Sequence, residues 1–165
     1  MYRKIIIASF LLNCLNCSFT WAAMSKSHIS APSSNHMPCV NTNKQEIAAL
    51  FDRWNASLRT RNPVKVNENY SDNAILLATI SSKPRVTSSE RINYFKTFLQ
   101  KHPIGKIDSR TIKIGCNKAI DSGLYTFTLK DGKKVHARYT FTYRWDGNKW
   151  LISSHHSSVL PKDKN

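Results

Sequence analysis

Residues 143–158 read YRWDGNKWLISSHHSS. Asp146-Gly147-Asn148 has the chemistry of a tight turn, and the runs on either side are strand-like. Upstream, residues 133–145 alternate: Val135, Ala137, Tyr139, Phe141 and Tyr143 on one face, His136, Arg138, Thr140, Thr142 and Arg144 on the other. A strand over 149–159 therefore returns beside 133–145. Asp131-Gly132 is a second hairpin turn, preceded by strands over 107–116 and 119–130. The C-terminal half reads as four antiparallel strands.

Working back from these strands, the pattern becomes helical. Ile47, Leu50, Phe51, Trp54 and Leu58 recur at helical spacing, so a long amphipathic helix is expected over 43–61. Thr42 to Gln45 fits a capping box, with Thr42 as the cap. Asn62-Pro63 stops that helix and starts a short one, with Pro at its first position, ending near Tyr70. AILLAT, 74–79, is a buried strand, and ISSKPRV, 80–86, a loop. Thr87 to Glu90 is another capping box, opening a helix that carries Ile92, Tyr94, Phe95, Phe98 and Leu99. The expected order is α-α-β-α-β-β-β-β, an α+β layer architecture.

The first 22 of the 165 residues read as a signal peptide: a basic start at Arg3-Lys4, an apolar run from Ile5 to Leu12, and small residues flanking a cleavage site after Ala22. The apolar run is far shorter than the roughly 20 residues a spanning helix needs, so stable membrane insertion after cleavage is not expected. Leu11-Leu12-Asn13-Cys14 leaves lipidation at Cys14 as an alternative, although Asn is a poor residue before a lipidated cysteine. Residues 23–38 are Ser-rich and aperiodic, a flexible leader. The folded domain is expected over 39–161, with a tail at 162–165. These readings make the protein exported, periplasmic or secreted. Cys39 and Cys116 remain after cleavage, and an oxidising compartment favours one disulfide between them over two separate thiols.

The net charge is +15, and +13 once Arg3 and Lys4 are removed. The basic residues are spread along the chain in no dense block, and no nucleic-acid motif accompanies them. The default reading is a solvated basic surface, with electrostatic adhesion to the cell envelope behind it. Nucleic acid is not an expected partner.

His155 and His156 carry the chemical interest. Adjacent strand residues point to opposite faces, so the two cannot chelate one metal from a regular strand. No HExxH, CxxC or paired-carboxylate spacing occurs, so neither a metal nor a cofactor is expected. A three-residue loop at Asp146–Asn148 pairs Arg144 with Trp150 and Arg138 with His156. A two-residue loop pairs Arg138 with His155 instead. In the first register Arg138, Trp150, Ile152, Ser154 and His156 share a face. An Arg beside a His in a concavity suits an anionic or carbonyl-bearing ligand, because the guanidinium fork grips carboxylates. The bland counterpart is a structural network in which Arg138 pairs with Asp121.

The element order, with ALFDRWNASLRTRNPVKVNENYSDNAILL (49–77), INYFKTFL (92–99) and DGNKWLISSHHSS (146–158), resembles the cystatin-like, nuclear-transport-factor-2-like superfamily. Within it, the chain is most similar to the association (hub) domain of calcium/calmodulin-dependent protein kinase II and its small bacterial relatives, over residues 43–161. The resemblance implies a cone-shaped fold, with a curved antiparallel sheet wrapped around the N-terminal helix and a pocket between them. It also implies self-association into dimers or larger rings. It selects the first register and matches His156, Arg138 and, less securely, Arg85 to pocket positions. Trp54 and Tyr94 complete the expected ligand-binding set, although both residue types are more often core. No kinase domain or calmodulin-binding segment is present to support kinase activity.

Two function classes follow. One is a non-enzymatic, self-assembling domain with a pocket for a small anionic or polar ligand. The other is an enzyme of the ketosteroid isomerase, cyclase or dehydratase kind (SnoaL-like relatives), which needs a general base opposite an oxyanion donor. Acids are few, so no catalytic residue is assigned, although Asp121 is the best carboxylate partner for a histidine. Self-association through an apolar outer face of Tyr139, Phe141, Tyr143, Leu151 and Val159 is expected of the first class.

Overall fold

The computed structural model describes residues 37–79 and 81–161. The expected signal peptide, nearly all of the expected leader, Cys14 and the expected tail at 162–165 lie outside the described residues. Helices α1 (Lys44–Arg59) and α2 (Pro63–Asn67) lead into strand β1 (Tyr70–Leu77). Helix α3 (Ser88–Phe98), extended by a 3-10 turn at Leu99–Lys101, precedes β2 (Ile104–Gly115), β3 (Lys118–Thr128), β4 (Lys134–Trp145) and β5 (Trp150–Val159). The curved sheet has the order β1-β5-β4-β3-β2. β1 runs parallel to β5, and the other pairs are antiparallel.

Helix α1 starts one residue later than its capping pattern suggests. Asn43 is the cap: its Oδ1 accepts from Glu46 N at 3.0 Å. The Thr42 hydroxyl instead donates to Glu46 Oε2 at 2.9 Å. In α3 the capping box at Thr87 and Glu90 forms as read. Helix α2 ends at Asn67 because Tyr70 already pairs with Ile152 in β1.

Helix α1 buries Ile47, Leu50, Phe51, Trp54 and Leu58 against the sheet. Each such side chain contributes about 1.5–3 kcal/mol through removal from water. Trp54 meets Phe141 edge-on at 5.3 Å, and Phe51 meets Phe141 at 6.2 Å. Buried Asn55 acts as a strand surrogate. Its amide donates to Gly105 O at 2.8 Å and accepts from Gly105 N at 2.9 Å, fixing the start of β2 to the helix. A β-bulge between Ile107 and Ser109 brings Ser109 O so near Gly123 that a Cβ there would lie 2.1 Å from it. Only glycine fits at that approach.

Cys39 and Cys116 form a disulfide that joins the segment before α1 to the β2–β3 turn. Asn117 reinforces it, accepting from Val40 N at 2.8 Å and donating to Pro38 O at 3.0 Å. Closing so long a loop stabilises the fold by about 4 kcal/mol on chain-entropy grounds. No helix among the described residues is long and apolar enough to cross a membrane.

The two faces of β4 are reversed from the sequence expectation. Tyr139, Phe141 and Tyr143 are buried in the core and form no outer face. Their size decides the matter, because α1 offers Phe51 and Trp54 as aromatic partners and solvent offers none. Leu151 does lie on the outer side, half-buried, and Val159 is exposed. The outer face presents Ile75, Leu77 and Ile120, each about 40% exposed, among Thr140, Thr142, Arg138 and Arg144.

The register departs from both expected loops. Trp145 pairs with Trp150 across the connection 146–149, and Asp146 Oδ1 accepts from Asn148 N and Lys149 N at 2.8 Å each. Tyr143 then pairs with Ile152 but Thr142 with Ser154, so Ser153 is an inserted, bulged residue. Its hydroxyl donates to Thr142 O at 3.0 Å. The bulge switches the parity of everything after it: Trp150 and Ile152 face the core, and so do His155 and Ser157.

Candidate functional site

This parity switch corrects the expected site. His156 pairs with Thr140 and is exposed on the outer face. Arg138 pairs with Ser158 and Leu124 and is exposed as well. Neither lines the inner cavity. His155 pairs with Phe141 and lies inside, 4% exposed. Trp54, Tyr94 and Arg85 do line the cavity. Sequence reasoning missed His155, Ser157 and Thr79. The only local signal was that His155 and Ser157 stand two apart, and a regular strand would have sent both outward.

The cavity, about 610 Å³, lies between the concave sheet face and α3. Aromatic and aliphatic groups dominate its walls, among them Trp54, Phe127, Phe98 and Val135. Arg85, Lys101 and Lys133 add positive charge, and among the described lining residues there is no Asp or Glu. Tyr94 also lines it, with a phenol that burial pushes up to about 12 despite Arg85 nearby, so it stays neutral.

The hydroxyls on the inner side come from β3, β5 and the turn after β1. Tyr125 on β3 donates to Ser157 Oγ at 2.5 Å, and Thr79 Oγ1 lies 2.5 Å from the same oxygen. These three hydroxyls carry three hydrogens and use two between themselves. One hydroxyl hydrogen, on Ser157 or Thr79, is not used within the trio. Tyr125 keeps its own proton because burial raises it well above the usual phenol range, Ser157 opposing.

His155 stacks on Phe141 with ring centroids 4.0 Å apart and meets Trp54 at 5.3 Å. Its Nδ1 lies 2.9 Å from the Tyr70 hydroxyl, which is also 3.1 Å from Trp54 Nε1. Its Nε2 is buried without a protein hydrogen-bond partner. Burial, with His156 adding, pushes the ring down to about 3, so it is neutral at physiological pH.

Asp121 serves neither histidine. It is fully buried and accepts from Tyr139 at 2.8 Å and from Arg110 Nε at 3.2 Å. Arg110 Nη2 lies 3.0 Å from Asp121 Oδ2, an ion contact outside hydrogen-bond alignment. Among the described residues no three His, Cys, Asp or Glu side chains gather as a metal-ligand set.

Comparison with known proteins now bears on these features. Residues 43–161 match the family model of the calcium/calmodulin dependent protein kinase II association domain. The chain belongs to this family. A crystal structure assigned to such an association domain from Xanthomonas campestris is 43% identical, with TM-score 0.70, over 77% of this chain and 97% of that one. A nuclear-transport-factor-2-like protein from Pseudomonas putida superposes with TM-score 0.63 at 20% identity, over 73% and 87% of the two chains. An iota-carbonic anhydrase from a cyanobacterium, solved with bicarbonate, superposes with TM-score 0.67 at 20% identity, over 78% and 99%. The Pseudomonas putida match, with a cystatin-like-fold protein from Nostoc punctiforme at TM-score 0.62 and 16% identity over 78% and 98% of the two chains, shows a nuclear-transport-factor-2-like, cystatin-like fold. No curated protein matches it.

Proposed function

We propose that this association-domain protein is exported, self-associates, and uses its concave cavity to bind bicarbonate-sized oxyanions and interconvert them with carbon dioxide. The observation that carries the reading is the unpartnered, buried His155 Nε2 on the wall that also holds Ser157 and Thr79. Buried polar groups without partners are rare in native proteins and call for a ligand or water. The described lining, with Arg85, Lys101 and Lys133 and no Asp or Glu among its residues, draws anions in. The bicarbonate-bound relative lends the same ligand class to the same fold. The isomerase-type alternative needs a carboxylate base in the cavity, and Asp121 is held by Arg110 and Tyr139.

The chemistry is small. Carbon dioxide is apolar and fits the aromatic walls. A water held by the Ser157–Thr79 pair attacks its carbon. One C–O bond forms, negative charge develops on a carbon dioxide oxygen, and His155 Nε2 faces that charge. The water's proton leaves along the hydroxyls to solvent, giving bicarbonate and a proton. Removing one such polar contact costs about 10²–10³ in rate.

Export is supported by the disulfide, which persists in oxidising compartments. Self-association is supported by the family and by Ile75, Leu77 and Ile120 on the outer face. Stopped-flow hydration of carbon dioxide with a pH indicator tests the activity. Acceleration over buffer should fall at least tenfold in His155→Gln and Ser157→Ala and persist in Arg138→Ala. No acceleration in the wild-type protein sinks the hydration reading.

A further inference from the structure

Tyr70 is buried where α1, α3 and β5 meet, and three groups determine what its hydroxyl does. Trp54 Nε1, a donor only, occupies an acceptor position on the phenol oxygen at 3.1 Å. The phenol has one hydrogen, and the other hydrogen-bond neighbour is His155 Nδ1 at 2.9 Å. If Tyr70 donates to Nδ1, both contacts are satisfied and the imidazole hydrogen sits on Nε2. If Nδ1 carries the hydrogen, the phenol hydrogen is buried without an acceptor and Nε2 is a second unmet group. Leaving that extra buried group unmet disfavours the second arrangement by about ten- to a hundredfold.

Arg91 adds a bias in the same direction. Its side chain is fully buried, 5.6 Å from the Tyr70 ring centroid. Its hydrogens go to Asn67 Oδ1, Ser88 Oγ and the carbonyls of Ser71, Asp72 and Ala74. No carboxylate side chain is among these partners. A cation against the ring makes the phenol a better donor and a poorer acceptor.

We infer that Tyr70, biased by Trp54 and Arg91, is a positioning residue that locks His155 in the Nε2–H tautomer. The cavity then presents a fixed N–H donor, and selects ligands that bring an unprotonated oxygen acceptor. Burial keeps the His155 ring neutral and holds Tyr70 well above its ordinary range, so neither loses this role at physiological pH. The consequence for binding rests on the ligand reading above; the tautomer does not.

Long-range ¹H–¹⁵N NMR of the histidine-labelled protein, with His155→Gln for assignment, reads the tautomer directly. The wild-type protein should show a protonated Nε2 and a bare Nδ1 on His155. Tyr70→Phe should yield a mixture or the Nδ1–H form and weaken acetate binding by about tenfold, as loss of one donor implies. Methylammonium, which brings no oxygen acceptor, should not bind. A wild-type Nδ1–H signal overturns the inference, even if Tyr70→Phe fails to fold. So does a folded Tyr70→Phe protein that keeps the pure Nε2–H form. Wild-type Nε2–H with no binding of acetate or bicarbonate upholds the lock and sinks the ligand reading.

Discussion

His155 and His156 are covalent neighbours with opposite surroundings. One stacks on Phe141 beside the cavity, its ring pushed down to about 3 by burial. The other stands on the exposed face between Thr140 and Leu77. The same contrast separates the two sides of the whole sheet. The concave side is aromatic and carries hydroxyls; the outer side mixes Thr, Arg and isolated aliphatics. A strand supplies both environments from one chain, and one residue of register decides which histidine receives which. Here Ser153 makes that decision.

Inserting one residue between Ser154 and His155 should break the contrast most severely. With continued pairing, the added residue would turn His155 and Ser157 outward and bring His156 and Ser158 inside. Loss of at least about 4 kcal/mol of stability is expected, because a polar set would replace one packed against Trp54 and Phe141. Urea denaturation measures it. An insertion variant as stable as wild type would show that one residue of register does not decide the two faces.

Alanine at each histidine tests the contrast without moving the backbone. His155→Ala should cost about 2 kcal/mol, through lost packing on Phe141 and an unpaired Tyr70 hydroxyl. His156→Ala should stay within about 0.5 kcal/mol, as substitutions at exposed positions do. Equal losses in thermal unfolding would contradict the assignment of faces.

The pH dependence tests the same contrast through charge. His155 is lowered from 6.5 to about 3 in the folded protein. The unfolded chain therefore takes up a proton that the folded one refuses. The stabilisation is full above the unfolded value and is lost as pH falls from about 6.5 to about 3. The slope that His155 contributes in that window is about 1.4 kcal/mol per pH unit. His155→Gln should flatten it and His156→Gln should not. Unfolding curves for both variants at pH 7 and pH 5 are sufficient to check this.

What the sequence reveals divides along physical lines. The Thr87 capping box, Pro63 at the head of α2 and the glycine turns are local, and they form where they are read. The Cys39–Cys116 pairing is legible because only two cysteines follow the segment read as a signal peptide, and the disulfide between them forms. Trp54, Tyr94 and Arg85 reach the cavity because the helix and loop that carry them admit one reading. Arg138 and His156 do not, because alternation carries strand faces faithfully only until a bulge intervenes. No residue type announces the bulge at Ser153, which shows only in the pairing of β5 with β4. The aromatic row on β4 also went to the wrong side, since alternation separates two faces without saying which one is covered.

The central claim is that the cavity wall around His155 holds an oxyanion. The most direct measurement is a bicarbonate titration of the protein, followed by NMR at the ring resonances of both histidines. Saturable movement of the His155 signals with His156 unmoved is the predicted result. Movement of His156 alone, or of neither ring, would contradict it.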